Sequence, residues 1–450
     1  MRVEFGTDGI RGVANAELTP DVALAAGRCI AYVMSVARRG AAGRIMIAKD
    51  TRISGDMVEG ALVAGICSVG VNVWKLGIAP TPCLAYLTKA ARCDAGVMIS
   101  ASHNPIEDNG IKVFDRSGYK LDDAMERTIE RLMNGAVRKK LPAPTGERVG
   151  LVIDRSRAAS RYTSAVSRIM GGVRIEGRVV IDCANGATAR FAKRVFRDHI
   201  EDAVIMNGDE DGRRINVDCG STMPGKMARR VVRTGARLGF AFDGDGDRVI
   251  FADEKGNTVD GDNVMLLCAG DFKRRGRLKG NVVVATVMSN LGLEVGLGRI
   301  GARMIRTPVG DKYVLREMLR GGYSIGGEQS GHVIFFRHST TGDGLITAAQ
   351  VLRIFGEAGG LFSELAKMRR SEQLLRNVTV KDRKNFSGNR KIGNAIRRAA
   401  KELEGRGRVV VRPSGTEPKI RVMVEAWDAE LAARVADDII GAVRDELGEA

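Results

Sequence analysis

The positions of apolar and polar residues predict a chain in which strands and helices alternate. Three short segments are near-copies of one another, each with a glycine, a polar residue and a β-branched run that is typical of a buried parallel strand. These segments are Gly43–Ala48, Gly177–Asp182 and Gly280–Ala285. After intervening helical segments, each repeat has a second apolar run, at Ala95–Ile99, Leu238–Phe242 and Tyr323–Ile325. Strand, helix and strand in this order build a parallel sheet, so the repeats predict three similar α/β domains with mixed or parallel sheets.

The last part of the chain has a different pattern. Leu375–Lys381 and Val409–Val411 have the composition of strands, and Lys419–Ala426 alternates like a hairpin partner. Ala429–Leu447 has a helical period. The pattern predicts a smaller C-terminal α+β domain.

Breaks in these patterns give the domain boundaries. The first lies between residues 134 and 161, where Lys139–Pro144 contains a helix-breaking stretch. The second lies near Gly256–Asp260 and the third near Arg369–Glu372. We therefore predict four domains, formed by residues 1–150, 151–257, 258–370 and 371–450.

The amino-terminal segment predicts a loop followed by a helix. Three glycines in Phe5–Gly12 suit a tight loop, with Arg11 as the charge that it presents. Thr19 is suited to cap a helix that has Pro20 at its first position and extends from about Asp21 to Arg38.

Each second apolar run leads into a polar loop, and ligands gather at the carboxyl ends of parallel strands. The first loop, Ser100–Pro105, contains Ser102 and follows the buried run Ala95–Ile99. A serine in this place can be held rigidly and still meet a ligand. A plain polar turn is the alternative, and the choice depends on what the other loops supply.

The second loop has three carboxylates at alternate positions, Asp243, Asp245 and Asp247, separated by glycines and followed by Arg248. Glycines allow the three carboxylates to converge, and converging negative charges require a cation, for which hard oxygen ligands favour Mg²⁺. An EF-hand would use Glu254 as its twelfth position, but the preceding buried strand and Arg248 argue against one. A solvated acidic turn is the other alternative.

Two further loops suit a phosphorylated sugar. Gly326–His332 combines a carboxylate, a hydroxyl and an imidazole that can take several hydrogen bonds from vicinal hydroxyls, although a glycine-rich turn has the same composition. Arg412–Arg421 offers two arginines, two hydroxyls and a glycine, a combination that suits a phosphate nest or a β-turn. Together the four loops suit phosphoryl transfer, in which the protein positions groups and neutralises charge.

Composition and charge limit the classes of molecule that we expect this protein to bind. The 71 Lys and Arg against 54 Asp and Glu give a net charge of +17, which raises the possibility of nucleic-acid binding. The basic residues are spread along the chain, and aromatic residues make up only 5%, too few for stacking platforms. A diffuse field that attracts an anionic small molecule, or a solvated surface, explains the charge equally well. We expect no nucleic-acid partner.

The cysteine pattern and the hydropathy of the chain predict its location in the cell. The seven cysteines are odd in number and form no C-x-x-C pair, as is usual for a reduced cytoplasmic protein. The amino terminus has no apolar signal-peptide core, and no stretch of about 18 apolar residues predicts a membrane span. We expect a cytoplasmic protein without membrane contact.

With these motifs in order, the chain resembles the α-D-phosphohexomutase family over its whole length. The resemblance depends on seven motifs: Phe5–Gly12, Thr51–Gly55, Ile99–Phe114, Asp243–Arg248, Thr307–Asp311, Gly327–His332 and Arg412–Arg421. The family implies four domains around a central cleft and a phosphoserine enzyme. It also implies Mg²⁺ as cofactor and a hexosamine 1,6-bisphosphate as intermediate and activator.

The resemblance assigns roles by position. Ser102 matches the phosphoserine, which also completes the metal shell of Asp243, Asp245 and Asp247. Glu328 and Ser330 match the contacts to sugar hydroxyls. The clamp on the phosphate that is not transferred matches Arg412, Ser414, Gly415, Thr416 and Arg421. The general acid and base belong to a set of residues that line the site, namely Arg11, His103, Lys112, Arg248 and His332.

The substrate expected from the resemblance is a sugar phosphate. Gln329, between Glu328 and Ser330, and the segment His338–Gly344 resemble the branch of the family that interconverts glucosamine 6-phosphate and glucosamine 1-phosphate for amino-sugar nucleotide synthesis. A phosphomannomutase/phosphoglucomutase is the nearest alternative, and a non-catalytic sugar-phosphate or nucleic-acid binding protein is a remote one. The sequence leaves the oligomeric state open, with a homodimer as one candidate.

Overall fold

The fold is described from a computed structural model, which describes residues 4–6, 8–36, 43–135, 141–381, 384–414 and 418–448. The chain forms two compact units. The first comprises Met1–Thr286 and Thr307–Lys367, and the second comprises Val287–Arg306 and Met368–Ala450. No helix among the described residues is both long enough and apolar enough to span a bilayer.

The first unit begins with a six-stranded mixed sheet in the order β1-β5-β4-β2-β3-β6. Its strands are β1 (Ile10–Val13), β2 (Arg44–Lys49), β3 (Asn72–Ile78), β4 (Ala95–Ile99), β5 (Asp108–Asp115) and β6 (Val152–Asp154). Strands β4, β2, β3 and β6 are parallel, whereas β5 is antiparallel to both β4 and β1. The helices are Pro20–Ala31, Gly55–Cys67, Thr81–Ala90 and Asp123–Asn134.

The predicted first helix is confirmed at its start. Thr19 accepts a hydrogen bond from Val22 N at 3.3 Å, and Pro20 occupies the first turn, where its missing N–H is not needed. The α-helix ends at Ala31 and continues as a π-helical turn, Tyr32–Val36. The last two residues of the predicted helix, Ala37 and Arg38, lie outside the described residues.

The second sheet has the order β11-β10-β9-β7-β8. Its strands are β7 (Ile175–Asp182), β8 (Ile200–Met206), β9 (Leu238–Phe242), β10 (Val249–Asp253) and β11 (Thr258–Val259). The accompanying helices are Ala159–Met170, Ala189–Phe196 and Gly225–Thr234. Strands β7 and β9 are parallel, and the buried strands β9 and β10 form an antiparallel hairpin. This hairpin carries the acidic loop at its turn.

The third repeat has β12 (Val282–Thr286) parallel to β14 (Ile325–Gly327), and β14 antiparallel to β15 (Val333–Phe335). Between them in sequence lies β13 (Arg303–Thr307). The helices of this part of the chain are Gly261–Arg274, Leu291–Arg299, Asp311–Gly321, Gly344–Ala358 and Phe362–Leu365. The sequence prediction for the second run, Tyr323–Ile325, is wrong at its start. Gly322, at φ +64°, terminates the preceding helix, and Tyr323 N donates to Met318 O, so the strand begins at Ile325.

In the second unit, β18 (Lys419–Ala426) lies between β16 (Glu372–Thr379) and β17 (Gly407–Pro413), antiparallel to both. The helices Arg390–Glu402 and Ala429–Leu447 cover a core of aliphatic side chains from all three strands. The fold class is confirmed: three α/β repeats with mixed sheets precede a C-terminal α+β domain. The four domain ranges predicted from the sequence stay predictions.

Candidate active site

Ser102 lies on the loop that follows β4, which is buried at all five positions. Its φ is +53°, in the left-handed region, and its side chain is buried. The N–H of Ser102 donates to Ser100 Oγ at 2.9 Å, and Ser100 Oγ donates to Asp50 Oδ2 at 2.6 Å. A short chain of buried hydrogen bonds therefore fixes the loop to the end of β2.

Arg52 holds the same loop from the opposite side. Its buried guanidinium forms an ion pair with Asp50, with 3.0 Å between Nε and Oδ2. Its two terminal nitrogens donate to four loop carbonyls, those of Ser102, Asn104, Pro105 and Asp108. Because one planar fork serves four acceptors, the backbone around Ser102 has a single well-defined conformation.

The acidic loop turns between β9 and β10, and Ser102 reaches it. Asp243, Asp245 and Asp247 are all buried, and each offers a carboxylate oxygen within 4.8 Å of the others. Gly246, with φ +72°, allows the tight curvature. Ser102 Oγ donates to Asp243 Oδ2 at 2.6 Å. The structure therefore brings the predicted phosphoserine and the predicted metal ligands together from separate repeats.

Three crowded carboxylates cannot all be ionised without a compensating cation. Burial, and then the charges of Asp247 and Asp245, raise the pKa of Asp243 well above its ordinary value. Burial also raises the pKa of Asp247, but Lys112 and His332 outweigh it, so that pKa falls well below the ordinary value. The charge of Asp247 is thus compensated by Lys112 and His332, whereas Asp243 is the carboxyl group whose ionised form a bound cation would stabilise.

The residues present fit a divalent cation such as Mg²⁺. Asp245 Oδ2 accepts hydrogen bonds from Lys112 Nζ at 2.8 Å and from Thr81 Oγ1 at 2.5 Å. In contrast, Asp245 Oδ1 and Asp247 Oδ1 are buried and accept no hydrogen bond from the residues that the structure describes. A buried polar atom without a partner costs about 1–3 kcal/mol, and hard oxygen atoms in this number are the ligands that Mg²⁺ prefers.

The EF-hand alternative is wrong. The acidic loop connects two antiparallel strands and has no flanking helices. Glu254, the twelfth position, binds Ser363 instead, accepting from Ser363 N at 3.1 Å and from its hydroxyl.

A cavity of about 480 Å³ opens beside the cluster, and its wall carries six of the predicted site residues. These are Arg11, His103, Asp247, Arg248, Glu328 and His332. Lys112 is fully buried behind the wall, at Asp245. Buried nitrogen atoms of Arg11, His103 and Arg248 have no hydrogen-bond partner among the described residues. An anionic, hydrogen-bonding ligand would satisfy them.

The pKa values of the two histidines of the site are shifted in opposite directions. Burial, and then Arg248 and Arg11, lower the pKa of His103 to about 4, so it is neutral at pH 7. Although burial lowers the pKa of His332, Asp247 and Asp311 outweigh it and the pKa is raised. Gly342 N donates to His332 Nε2 at 3.0 Å, and Nδ1 lies 3.6 Å from Asp247 Oδ2.

The sugar loop joins β14 to β15. Glu328 Oε1 accepts from Gly310 N at 3.2 Å, which ties this loop to the preceding motif, Thr307–Asp311. Ser330 is exposed, and its hydroxyl donates to Glu328 Oε2 at 3.4 Å. Both side chains therefore stay available to a ligand, with Glu328 in the cavity wall.

The fourth loop belongs to the second unit, where it links β17 to β18. Arg412 and Arg421 lie directly opposite each other in the strand register, and Arg421 Nη2 lies 3.5 Å from Ser414 Oγ. Burial, and then Arg421, lower the pKa of Arg412. Two neighbouring guanidinium groups suit a phosphate. The predicted residues Gly415 and Thr416 lie outside the described residues.

Sequence reasoning missed a half-buried ion network in the wall of the cavity. Lys120 Nζ lies between Asp8 and Asp311, 2.5 Å from Asp311 Oδ2, and Asp8 also pairs with Arg11 and Lys112. Burial lowers the pKa of Lys120, but Asp311 and Asp8 raise it more, so the ammonium stays charged. Asp8 and Asp311 stand within the quoted motifs Phe5–Gly12 and Thr307–Asp311, which is the signal that could have found them.

Known proteins match the chain along its whole length. Models of the phosphoglucomutase/phosphomannomutase α/β/α domains I, II and III match residues 2–139, 160–256 and 260–371, and the C-terminal domain model matches residues 375–442. A phosphoglucosamine mutase from Bacillus subtilis (strain 168) is 47% identical over 445 residues, 99% of each chain.

Solved structures share the fold. A phosphoglucomutase/phosphomannomutase family protein from Burkholderia thailandensis has a TM-score of 0.80 at 24% identity, covering 98% of this chain and 97% of its own. N-acetylphosphoglucosamine mutase of Aspergillus fumigatus, solved with GlcNAc-6P and magnesium, has a TM-score of 0.68 at 21% identity, covering 99% and 96%. By its four domain matches and its full-length relatives, the chain belongs to the phosphoglucomutase/phosphomannomutase family, the α-D-phosphohexomutases.

Proposed function

We propose that this protein is a phosphoglucosamine mutase, an intramolecular phosphotransferase that interconverts glucosamine 6-phosphate and glucosamine 1-phosphate and so supplies amino-sugar nucleotide synthesis. The observation that carries the chemistry is the 2.6 Å hydrogen bond from Ser102 Oγ to Asp243, within three buried carboxylates. The sugar is supported by the full-length relative from Bacillus subtilis, whose name is phosphoglucosamine mutase.

Mg²⁺ is the proposed cofactor. Asp243, Asp245 and Asp247 would hold it together with an oxygen of phosphorylated Ser102. The ion would supply positive charge next to the transferring phosphoryl group. Two buried carboxylate oxygens that accept no hydrogen bond from the described residues, Asp245 Oδ1 and Asp247 Oδ1, support this proposal.

The reaction has two phosphoryl transfers. In the first, the oxygen of the C1 hydroxyl of glucosamine 6-phosphate attacks phosphorus on Ser102, the bond between Ser102 Oγ and phosphorus breaks, and the hydroxyl proton passes to a base. The 1,6-bisphosphate then turns over in the cavity. In the second transfer, Ser102 Oγ attacks the phosphorus atom at C6, the bond between O6 and phosphorus breaks, and O6 takes up a proton, which leaves glucosamine 1-phosphate and restores phosphorylated Ser102.

Side chains at the cavity would offset charge, transfer protons and hold the sugar. Arg248 and Lys112 offset charge near the serine, since Lys112 is buried against Asp245 and the half-buried Arg248 lies beside Asp247. Neutral His103 can accept a proton, which makes it our candidate for the base, with Arg11 and His332 as the other members of the acid–base set. Glu328 and Ser330 would hold sugar hydroxyls as the ring turns over.

The clamp on the distal phosphate is proposed to be Arg412, Ser414, Gly415, Thr416 and Arg421. A single clamp must serve either end of the sugar, because the bisphosphate presents each of its phosphates to Ser102 in turn. We further propose four domains with boundaries near residues 150, 257 and 370, a cytoplasmic location for this chain with seven free cysteines, and no nucleic-acid or membrane partner. We propose that the protein forms a homodimer, which a measurement of its molecular mass in solution would test.

The decisive experiment replaces the nucleophile. With Mg²⁺ and added glucosamine 1,6-bisphosphate, Ser102→Ala is expected to lose turnover and to carry no phosphate by intact mass. Ser117→Ala, at an exposed turn of the same repeat, is the matched control and should keep both. Wild-type turnover by Ser102→Ala would refute the mechanism.

A second experiment tests the sugar. kcat/KM should be highest for glucosamine phosphate when the phosphorylated protein is assayed against glucosamine, glucose and mannose phosphates. Discrimination by one hydrogen-bonded group can reach about 10⁴-fold. A higher kcat/KM for mannose or glucose phosphate would instead establish the phosphomannomutase/phosphoglucomutase alternative.

A further inference from the structure

A second cavity lies at the opposite end of the β14–β15 hairpin from the sugar loop. Its volume is about 710 Å³, larger than that of the candidate active site. Ser324, just before β14, and Phe335, at the end of β15, line it, whereas Glu328 and His332 lie at the other ends of these two strands. The cavity is therefore separate from the catalytic residues.

Three arginines in the wall of this cavity have no partner among the described residues. Arg275 and Arg353 are both paired with Asp271 and Glu357, with Arg353 Nη2 2.6 Å from Asp271 Oδ2 and Arg275 Nε 3.0 Å from Asp271 Oδ1. The exposed guanidinium groups of Arg168, Arg277 and Arg337 form no hydrogen bond or ion pair with any residue that the structure describes. Their charges are left to solvent or to an anionic ligand. We therefore name this site the arginine cavity, defined by Arg168, Arg277 and Arg337.

Arg168, Arg277 and Arg337 line one cavity, and two of them, Arg277 and Arg337, act on the same neighbouring side chain. His338 lines the same cavity, and burial, followed by Arg337, Arg277 and Arg353, lowers the pKa of its imidazole. Two of the three guanidinium groups that define the arginine cavity, those of Arg277 and Arg337, thus act on one side chain together with the paired Arg353. Phosphate oxygens suit such a cluster, because guanidinium groups bind them with two parallel hydrogen bonds.

Aromatic side chains form the apolar part of the wall. Phe272 and Phe335 pack edge to face with ring centroids 5.9 Å apart, and Phe336 is partly exposed. An adjoining cavity of about 280 Å³ shares Arg168 and Arg337. A planar ring can lie against such a surface while its phosphates meet the arginines.

We propose that the arginine cavity binds a nucleoside diphosphate. Its two phosphates pair with Arg168, Arg277 and Arg337, and its base packs on Phe336 and Phe272. A volume of about 710 Å³ lies within the range of small-molecule sites, about 300–1,000 Å³, and exceeds what a free phosphate fills. This binding is independent of the mutase reaction.

The test is isothermal titration of the full-length protein at physiological salt with adenosine 5′-diphosphate, inorganic pyrophosphate and adenosine. ADP is expected to bind more tightly than either fragment, because the arginines and the aromatic wall each recognise one part. The double variant Arg277→Gln/Arg337→Gln should weaken ADP binding by about tenfold or more. Arg229→Gln removes one exposed arginine from the helix Gly225–Thr234 and should leave ADP binding unchanged.

Three results would overturn the proposal: no binding of ADP at millimolar concentration, equal affinity of the wild type and the double variant, or pyrophosphate binding as tightly as ADP. Thermal unfolding of each variant accompanies the titration. Both replaced side chains are exposed and have no partner among the described residues, so unfolding midpoints should not change. If the double variant unfolds early, Arg337→Gln alone decides the question by the same comparison.

Discussion

Replacing Arg52 with lysine tests whether the serine loop is held by one guanidinium. Arg52 pairs with Asp50 and donates to four loop carbonyls. A lysine keeps the charge but has three donors at one point, so at least two acceptors lose their partner. Each buried acceptor without a partner costs about 1–3 kcal/mol, which gives a loss of about 2–6 kcal/mol in the free energy of unfolding. Total stabilities are about 5–15 kcal/mol, so the variant should fold unless the wild type lies at the low end of this range and the loss at its high end.

The effect on activity should be specific to kcat. Arg52 does not line the cavity, so KM for the sugar phosphate should stay near its wild-type value. A displacement of Ser102 by about 1 Å should lower kcat by about 100-fold. Urea unfolding measures the loss in the free energy of unfolding, and steady-state kinetics measures kcat and KM. Intact mass shows whether Ser102 is still phosphorylated. Arg116→Lys, an exposed arginine in the same repeat, is the matched control. Arg52→Lys with wild-type kcat and unchanged unfolding would refute the reasoning.

Three further predictions follow from buried charges. Asp245→Asn removes one carboxylate of the cluster and should weaken Mg²⁺ binding by about tenfold or more in titration calorimetry; unchanged affinity would argue against the cluster as the metal site. Burial raises the pKa of Asp343 from its ordinary value of 3.8 to about 7. Between these two pH values the native state holds a proton that the unfolded state has released. The free energy of unfolding of the wild type should therefore fall by up to about 4 kcal/mol as pH rises from about 4 to about 7. Asp343→Asn should flatten that slope in denaturant titrations at several pH values, and an identical slope would contradict the assignment. Lys120→Met removes the ammonium that the half-buried Asp8 and Asp311 share and should cost about 1–3 kcal/mol, whereas adding Asp311→Asn should recover part of the loss; no recovery would mean that the network is not the cause.

Local pattern was enough to predict most of the fold. The three glycine-led runs became β2, β7 and β12, and their second runs became β4, β9 and β14, parallel to the first in each case. Burial on both faces gives such strands a continuous apolar signal. The start of β14 was predicted too early because Tyr323 belongs to the apolar run. In the structure, Tyr323 lies in the turn that follows the helix end at Gly322, and its N–H donates to Met318 O.

The candidate site was predictable where its chemistry is local. Asp243, Asp245 and Asp247 converge within one turn, and spacing alone indicates that cluster. The pairing of Lys120 with Asp8 and Asp311 spans 112 and 191 positions of the chain. No local pattern encodes such a contact, since only the tertiary fold brings these side chains together.

The backbone at Ser102 restricts which nucleophile the site can hold. At φ +53° a β-branched residue is strained, so threonine, the other common phosphate-accepting alcohol, is disfavoured at this position whatever the space around it. Glycine, asparagine and aspartate adopt the conformation readily, but none of them offers an alcohol. The backbone conformation thus restricts which residue can carry the phosphate, independently of the chemistry of the reaction. A change from serine to threonine at this position requires a change in the backbone of the loop as well.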